Sequence, residues 1–288
     1  MRTYFYTRFG IGVADPLWWA YRMRLFEAVT FPSIGVHLGT QNHWVIATDA
    51  AMDSHYSKQL YELIDSSGKA PFITVVPVMA YAQAPIAFGA LLAHFEEVRV
   101  VRIDDDDAVS REFLDFLPTK PGIYTIPLGY EADLAQRRMR TIRRPFLSMN
   151  TIFQGPGSMV QEYVSVGHHR IKDWGVTRRI TATEVDSPNQ SYIYSRHKQS
   201  DSTFAAIRRS ILDDKQSKVF TSAARSRFGI NESAFNEWRR FAQTAPSTNN
   251  RKTWNINSEL NNQSALLVKR LSALNKMIRA NTENIFGE

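Results

Sequence analysis

Val98-Arg99-Val100-Val101-Arg102-Ile103-Asp104-Asp105-Asp106-Asp107-Ala108 decides how the rest of the chain is read. Four carboxylates in a row follow an apolar run of Val98, Val100, Val101 and Ile103. A short apolar run bounded by polar residues is the pattern of a buried strand. The acids then stand at its carboxyl end, where open α/β sheets place their ligands. Adjacent carboxylates repel one another unless water or a cation screens them. A hard divalent cation suits such a cluster, and Mg²⁺ or Mn²⁺ also takes oxygens from a bound phosphate. The plainer alternative is a solvated acidic turn, with Asp106 or Asp107 capping a helix over residues 108–117.

Outward from this stretch, strand and helix signals alternate. Residues 3–9 alternate in polarity, are rich in Tyr and Phe, and end a first strand at Thr7-Arg8-Phe9-Gly10. Asp15-Pro16 is an N-cap followed by proline at the first helical position. The helix it opens carries Trp18, Tyr21, Arg22, Leu25, Phe26 and Val29 on one stripe, and Phe31-Pro32-Ser33 is expected to end it. Strands are expected over 43–49 and 72–78, and helices over 54–66 and 84–94. This succession argues a mostly parallel twisted sheet flanked by crossover helices. No Gly-x-Gly-x-x-Gly follows the first strand and no phosphate-loop lysine motif is present, which counts against a dinucleotide-binding domain. Further on, 122–130 reads as one strand, 131–140 as a helix or the second arm of a hairpin, and 146–153 as β-prone. Residues 163–169 and 190–197 read as short strands with histidines at their ends. From residue 202 the pattern turns helical, with a last helix over 260–278.

A chain of 288 residues with 43% hydrophobic content can bury one large α/β domain, with or without an appendage. The absence of cysteine excludes a disulfide framework and a thiolate metal site, and fits a reducing cytoplasm. No signal-peptide pattern and no apolar run of membrane-spanning length is present. The formal net charge of +7 is concentrated late: from Arg196 onward there are 16 Lys and Arg against 8 Asp and Glu. A second basic knot is Arg137-Arg138-Met139-Arg140-Thr141-Ile142-Arg143-Arg144. Such charge attracts phosphate, anionic lipid or nucleic acid without choosing among them, and a solvated helical face is the commoner explanation. No recognition-helix or single-strand motif accompanies it, so a nucleic-acid partner is not expected.

Several pieces together resemble a known family. They are Thr7-Arg8-Phe9, the stretch from Phe26 through Phe31-Pro32-Ser33, the run from Trp44 to Asp49, Arg102-Ile103-Asp104-Asp105-Asp106-Asp107-Ala108, and the run from Tyr192 to His197. The chain resembles the bacterial rhamnosyltransferase family, which belongs among the GT-A-type glycosyltransferases, over roughly residues 3–200. It departs from that family at Gly10, where asparagine is frequent, and after His197. The resemblance implies a GT-A-like nucleotide-sugar-binding and catalytic domain over 1–200, with a helical extension over 201–288 packed on it. It implies a hexosyltransferase that moves a sugar, such as the deoxyhexose rhamnose, from a nucleotide-sugar donor to a bacterial glycan or glycolipid. Such an enzyme is cytoplasmic, with peripheral contact to the inner membrane surface as a variant of that expectation. Thr7, Arg8, Asp49, Arg102, Asp104 and Asp105 are the implied donor-binding residues. Asp106 and Asp107 are the implied ligands of Mn²⁺ or Mg²⁺, with His197 completing the shell.

Charge chemistry supplies independent expectations. Breaking the bond between an anomeric carbon and a diphosphate puts negative charge on the leaving group, which a metal and nearby cations stabilise. Arg8 and Arg102 stand at strand ends and suit this role; each could equally pair with Asp49 or Asp104. Asp49 suits a hydrogen bond to base or ribose, or a plain cap. An inverting transfer also needs a general base for the acceptor hydroxyl. Glu162, after the Gly155-Pro156-Gly157 turn, and Asp173 are the candidates, with His168 competing; as surface groups they would have no such role. The alternative enzyme is a nucleotidyltransferase or other phosphoryl-transfer enzyme using the acids for two metals.

Overall fold

The computed structural model describes residues 1–197 and 211–246. The first half builds four parallel strands: β1 (Arg2–Phe9), β2 (Asn42–Asp49), β3 (Ile73–Val78) and β4 (Val98–Arg102). They are joined by α1 (Pro16–Leu25) and α2 (Phe31–Gly35) after β1, α3 (Ser54–Ser66) after β2, and α4 (Gln83–Leu92) after β3. β1 pairs with β2 on one side and β4 on the other, so the strand order reverses at β1. In open α/β sheets such a reversal, here at the carboxyl ends of β1 and β4, is the general ligand position.

The later chain completes this sheet and adds a second. Strands β5 (Ala108–Val109), β6 (Gly122–Thr125), β7 (Leu128–Asp133) and β8 (Arg138–Arg143) are followed by β9 (Thr151–Gly155). Helices α5 (Val160–Ser165) and α6 (Ile171–Thr177) come next, then β10 (Ala182–Glu184), β11 (Tyr192–Arg196) and β12 (Lys218–Val219). The described residues end with α7 (Ser222–Arg227) and α8 (Glu232–Thr244). The seven-stranded sheet runs β10-β6-β9-β4-β1-β2-β3, with β9 antiparallel to both β4 and β6. The five-stranded sheet runs β12-β8-β7-β11-β5.

Both faces of the large sheet are covered. Phe5, Phe9, Trp44, Ile46 and Val101 pack under Trp19, Phe26, Leu60 and Ile64 on one face. Tyr4, Tyr6, Val98 and Val100 pack under Phe88, Leu92, Tyr163 and Val164 on the other. A third cluster joins Tyr21 and Leu25 of α1 to Ala132 and Ile193 of the second sheet and to Phe228, Phe235 and Trp238. Helix α1 is therefore buried on two sides, and its stripe is core as its composition indicates.

Several expectations change. The helix does not end at Pro32. A π turn over Phe26–Thr30 carries it on, with Phe31 N–H bonding back to Phe26 O, and α2 follows directly. The wider turn tolerates the missing proline N–H. Residues 108–117 are not a helix: Ala108 and Val109 pair antiparallel with Ile193 and Tyr192, and the chain then turns through bonds such as Phe113 N–H to Ser110 O at 3.0 Å. The strand expected over 122–130 is two strands in two sheets, parted at Ile126-Pro127. The hairpin reading of 131–140 holds, with β7 antiparallel to β8. The strand expected over 163–169 is instead α5 and a short turn, because Val160, Tyr163 and Val164 share the buried face of a helix. Of the extension expected over 201–288, residues 211–246 are described; the helix over 260–278 and most of the late basic charge lie outside the described residues. Among the described residues no helix is long and apolar enough to cross a membrane.

Candidate active site

The acid run begins where β4 ends. Ile103 N–H donates to Tyr6 O at 3.0 Å, and Asp107 N–H then closes a turn on Asp104 O at 3.2 Å. The turn aims the four carboxylates in different directions. Asp104 stays partly exposed, and its Oδ2 accepts the Ser148 hydroxyl at 2.9 Å. Asp105, Asp106 and Asp107 are buried.

The partner of the buried acids is Arg22, on the core stripe of α1. Its Nη2 donates to Asp105 Oδ1 at 2.7 Å and its Nε to Asp105 Oδ2 at 3.3 Å. Its Nη1 donates to Asp106 Oδ2. His197, placed by β11, brings Nε2 to 2.9 Å from that same Asp106 oxygen and 2.7 Å from Arg22 Nη1. Asp107 turns away: its Oδ1 accepts the Ser195 N–H at 2.9 Å, and its Oδ2 is buried without a hydrogen-bond partner among the described residues.

Burial acts against every charge in this cluster, and the geometry decides which survive. Burial raises Asp105 to about 6 despite the opposing Arg22 guanidinium. Burial also works against ionised Asp106, but Arg22 and His197 together outweigh it and hold that carboxyl well below the usual range. Asp107 rises well above the ordinary carboxylate value through burial and the neighbouring Asp106 and Asp104. Burial lowers His197 to about 4, with Arg22 adding to the effect and Asp106 resisting it. A neutral His197 donates from Nε2 to Asp106 in one tautomer and accepts from Arg22 at Nε2 in the other, with its proton on Nδ1. Arg22 is desolvated too, yet Asp105 and Asp106 more than restore its charge.

The residues expected to hold a divalent cation do not converge on one point. Asp106 and His197 meet, but a guanidinium stands against both, and Asp107 faces Ser195. Among the described residues no group of three or more His, Asp and Glu side chains could hold a metal ion. Asp105, Asp106 and His197 are engaged by a guanidinium and do not fit a resident Mn²⁺ or Mg²⁺; Asp104 lies partly exposed, outside this pairing.

A second cluster lies at the carboxyl ends of β1 and β4. Arg102 ends β4 and is 5% exposed; its Nη1 donates to Val166 O at 2.6 Å. Arg8, near the end of β1, lies over the Tyr81 ring at 4.3 Å. Among the described residues neither guanidinium forms an ion pair, so the alternative pairing with Asp49 or Asp104 does not occur. Burial lowers the Arg102 pKa, and Arg8 adds to that lowering while Asp104 resists it. His168 is exposed but lies within the field of Asp104, Arg102 and Arg8, and desolvation is the largest cause that lowers its pKa.

Other expected residues are placed elsewhere. Thr7 is fully buried and its hydroxyl accepts the Trp44 indole N–H at 3.0 Å, a core role that removes it from the donor site. Asp49 braces the β1–α1 loop, taking Gly12 N–H on Oδ2 at 2.6 Å and Ala51 N–H on Oδ1 at 2.7 Å. Glu162 is exposed, and its Oε2 is held by Arg178 at 2.8 Å and the Trp174 indole at 3.3 Å. Asp173 is exposed on α6. Among the described residues neither is bonded to the acid run. A groove of about 510 Å³ between α1 and α3, lined by residues such as Arg24, His55, Tyr56 and Glu62, contains none of the acid-run residues. The residue missed from sequence is Arg22. Its signal was there: an arginine on an apolar helical stripe is buried, and a buried charge needs a partner.

No curated protein matches the chain. Similar solved structures include residues 1–349 of TarS from S. aureus, at 12% identity, covering 85% of this chain and 73% of that one with a TM-score of 0.42. Apo GlyE from Streptococcus pneumoniae is 10% identical over 86% of this chain and 66% of its own, with a TM-score of 0.36. A cytidylyltransferase from Leptospira borgpetersenii is 12% identical over 66% of this chain and 76% of its own, with a TM-score of 0.33. These scores are too low for the neighbours' activities to bear on this chain. Residues 12–120, which hold Arg22, Asp49, Arg102 and the whole acid run, match the family model described as "Putative rhamnosyl transferase", the same family that the sequence resembles.

Proposed function

We propose that the chain is a glycosyltransferase that binds a nucleotide-sugar donor in the crevice between the carboxyl ends of β1 and β4. The observation that carries this reading is the pair Arg8 and Arg102, two guanidiniums without carboxylate partners among the described residues, at the point where strand order reverses. A buried cation with no counter-charge has high affinity for an anion that arrives with its own negative charge. A diphosphate fills that requirement, and its charge grows as the glycosidic bond breaks. Asp104, partly exposed beside this pair, is placed to accept hydroxyls of the nucleoside or sugar. His168, which lies near the same groups whereas Glu162 is held by Arg178 and Trp174, is the candidate general base for the acceptor in this reading. The family match to residues 12–120 supports a deoxyhexose such as rhamnose as the transferred sugar, and the acceptor in this reading is a glycan or glycolipid.

The test is a thermal-shift panel of nucleoside diphosphates and nucleotide sugars, followed by product analysis with the stabilising donor. One base should raise the melting temperature by mass-action linkage. Arg8→Ala should remove that rise. Release of pyrophosphate from nucleoside triphosphates, with no stabilisation by nucleotide sugars, would replace this reading with nucleotidyl transfer.

A further inference from the structure

We infer that Arg22 is a built-in substitute for a divalent cation, so that this chain binds its donor without metal. The inference rests on the donor-site reading above but is carried by a different set of residues. Acids at the end of a central strand would repel a diphosphate unless something neutralises them. In a metal-bound site the ion does so. Here a guanidinium on α1 does so, taking both oxygens of Asp105 and one of Asp106.

The arrangement leaves no room for a resident ion beside Asp105 and Asp106: a dication there would be repelled by the guanidinium, and the carboxylate oxygens that would attract it are already bonded to Arg22. Arg22 cannot withdraw to make room, because it is 4% exposed and its helix is packed on two sides. Freed from Asp105 and Asp106 it would be a buried charge without compensation, which costs several kcal/mol. His197 is also engaged, with Nε2 2.7 Å from Arg22 Nη1. The phosphates are left to Arg8 and Arg102, on the crevice side of the acid run. The division of labour is then one cation for Asp105 and Asp106 and two for the ligand.

The experiment uses the full chain and has two arms. In the first, MnCl₂ alone is titrated into metal-stripped protein by calorimetry and by Mn²⁺ electron paramagnetic resonance. The inference expects no saturable site; a stoichiometric site that disappears in Asp106→Asn would overturn it. In the second, the melting temperature is measured with UDP, GDP, CDP and dTDP in excess EDTA and again with MnCl₂. Stabilisation that is unchanged by EDTA supports the inference, and stabilisation that needs Mn²⁺ overturns it. If no nucleotide stabilises the protein under either condition, the donor reading fails, and the first arm still decides the role of Arg22. Arg22→Met supplies a further check: with the guanidinium gone, Mn²⁺ should raise the variant's melting temperature while leaving that of the parent unchanged. A variant that folds and ignores Mn²⁺ would show that the acids never formed a cation site of that size.

Discussion

Arg22 and Asp105 lie 83 residues apart in the chain and meet side-on, with Nη2 2.7 Å from Oδ1. One residue comes from the first helix and the other from the end of a central strand, so the contact fixes α1 to the carboxyl edge of β4. Buried ion pairs contribute little relative to an apolar replacement of the whole group, but removing one partner is costly. Arg22→Met leaves two adjacent acids in the interior and is expected to lose roughly 3–5 kcal/mol of stability. Arg22→Lys keeps the charge but cannot span two carboxylates, and falls between the two. Urea denaturation at neutral pH measures both. The deficit of Arg22→Met should shrink at acid pH, where Asp105 and Asp106 can take protons. An Arg22→Met chain as stable as its parent would show that the pair does not hold the helix.

His197 predicts a pH dependence with a definite sign. Its folded-state value is lowered to about 4 from an ordinary 6.5. The unfolded chain therefore takes up this proton first as pH falls, and the folded state loses stability over that interval. The full effect is present above pH 6.5 and lost progressively toward pH 4, by up to roughly 3 kcal/mol. Asp105, raised to about 6, changes stability in the opposite direction over the same range, so the parent protein alone gives a blurred profile. His197→Gln removes the titration and keeps a polar group of similar reach. The melting-temperature difference, parent minus variant, should fall as pH drops from 7 to 4. A difference that stays level across that range contradicts the buried neutral imidazole.

Arg102 should separate binding from stability. Its buried charge has no carboxylate partner among the described residues; its Nη1 donates to Val166 O at 2.6 Å and its guanidinium lies 6.0 Å from the Tyr163 ring centroid. Arg102→Met loses that bond, worth about 1 kcal/mol, and is relieved of the charge's desolvation. Stability should change by less than in Arg22→Met. Affinity for the stabilising nucleoside diphosphate should fall about 10-fold or more, since a charge-assisted contact to phosphate is worth about 1.5–3 kcal/mol. Calorimetric titration alongside urea denaturation reads both quantities. A variant that is badly destabilised yet binds normally would make Arg102 a structural residue.

These residues also mark what the sequence made legible. The strand before the acids was readable because Val98, Val100, Val101 and Ile103 form an apolar run, and the position of the acids at a strand end followed from it. Arg8 and Thr7 are adjacent, and period-two alternation sends one toward the crevice and the other under Trp44; the choice depends on which face carries the ligand, and that needs the neighbouring strands. The turn that sends Asp104 outward and its three neighbours inward is closed by a backbone bond that leaves no mark on composition. The second sheet was illegible for a different reason. Its parallel pair, β7 with β11, joins segments some sixty residues apart, with Ile193 opposite Tyr130, and short strands carry weak periodicity.

Glu131 tests whether that second sheet holds His197 in place. Its carboxylate is buried on β7. Oε2 accepts from Arg140 of β8 at 2.6 Å and Oε1 from Arg196 of β11 at 3.1 Å. One acid thus ties together three strands, and Arg196 immediately precedes His197. Glu131→Gln has nearly the same shape but removes the charge that compensates two guanidiniums, one of them buried. A loss of roughly 3–5 kcal/mol follows if the carboxylate is the principal counter-charge for both. The loss should be accompanied by faster amide exchange along the β7–β11 ladder, Ile193 to Arg196 against Tyr130 to Asp133, apart from Ser195, whose N–H is held by Asp107. Exchange at Val100 and Val101, in the other sheet, should change only through global unfolding. If exchange instead rises equally in both sheets while stability stays within about 0.5 kcal/mol of the parent, Glu131 is a passive occupant and the placement of His197 depends on other contacts.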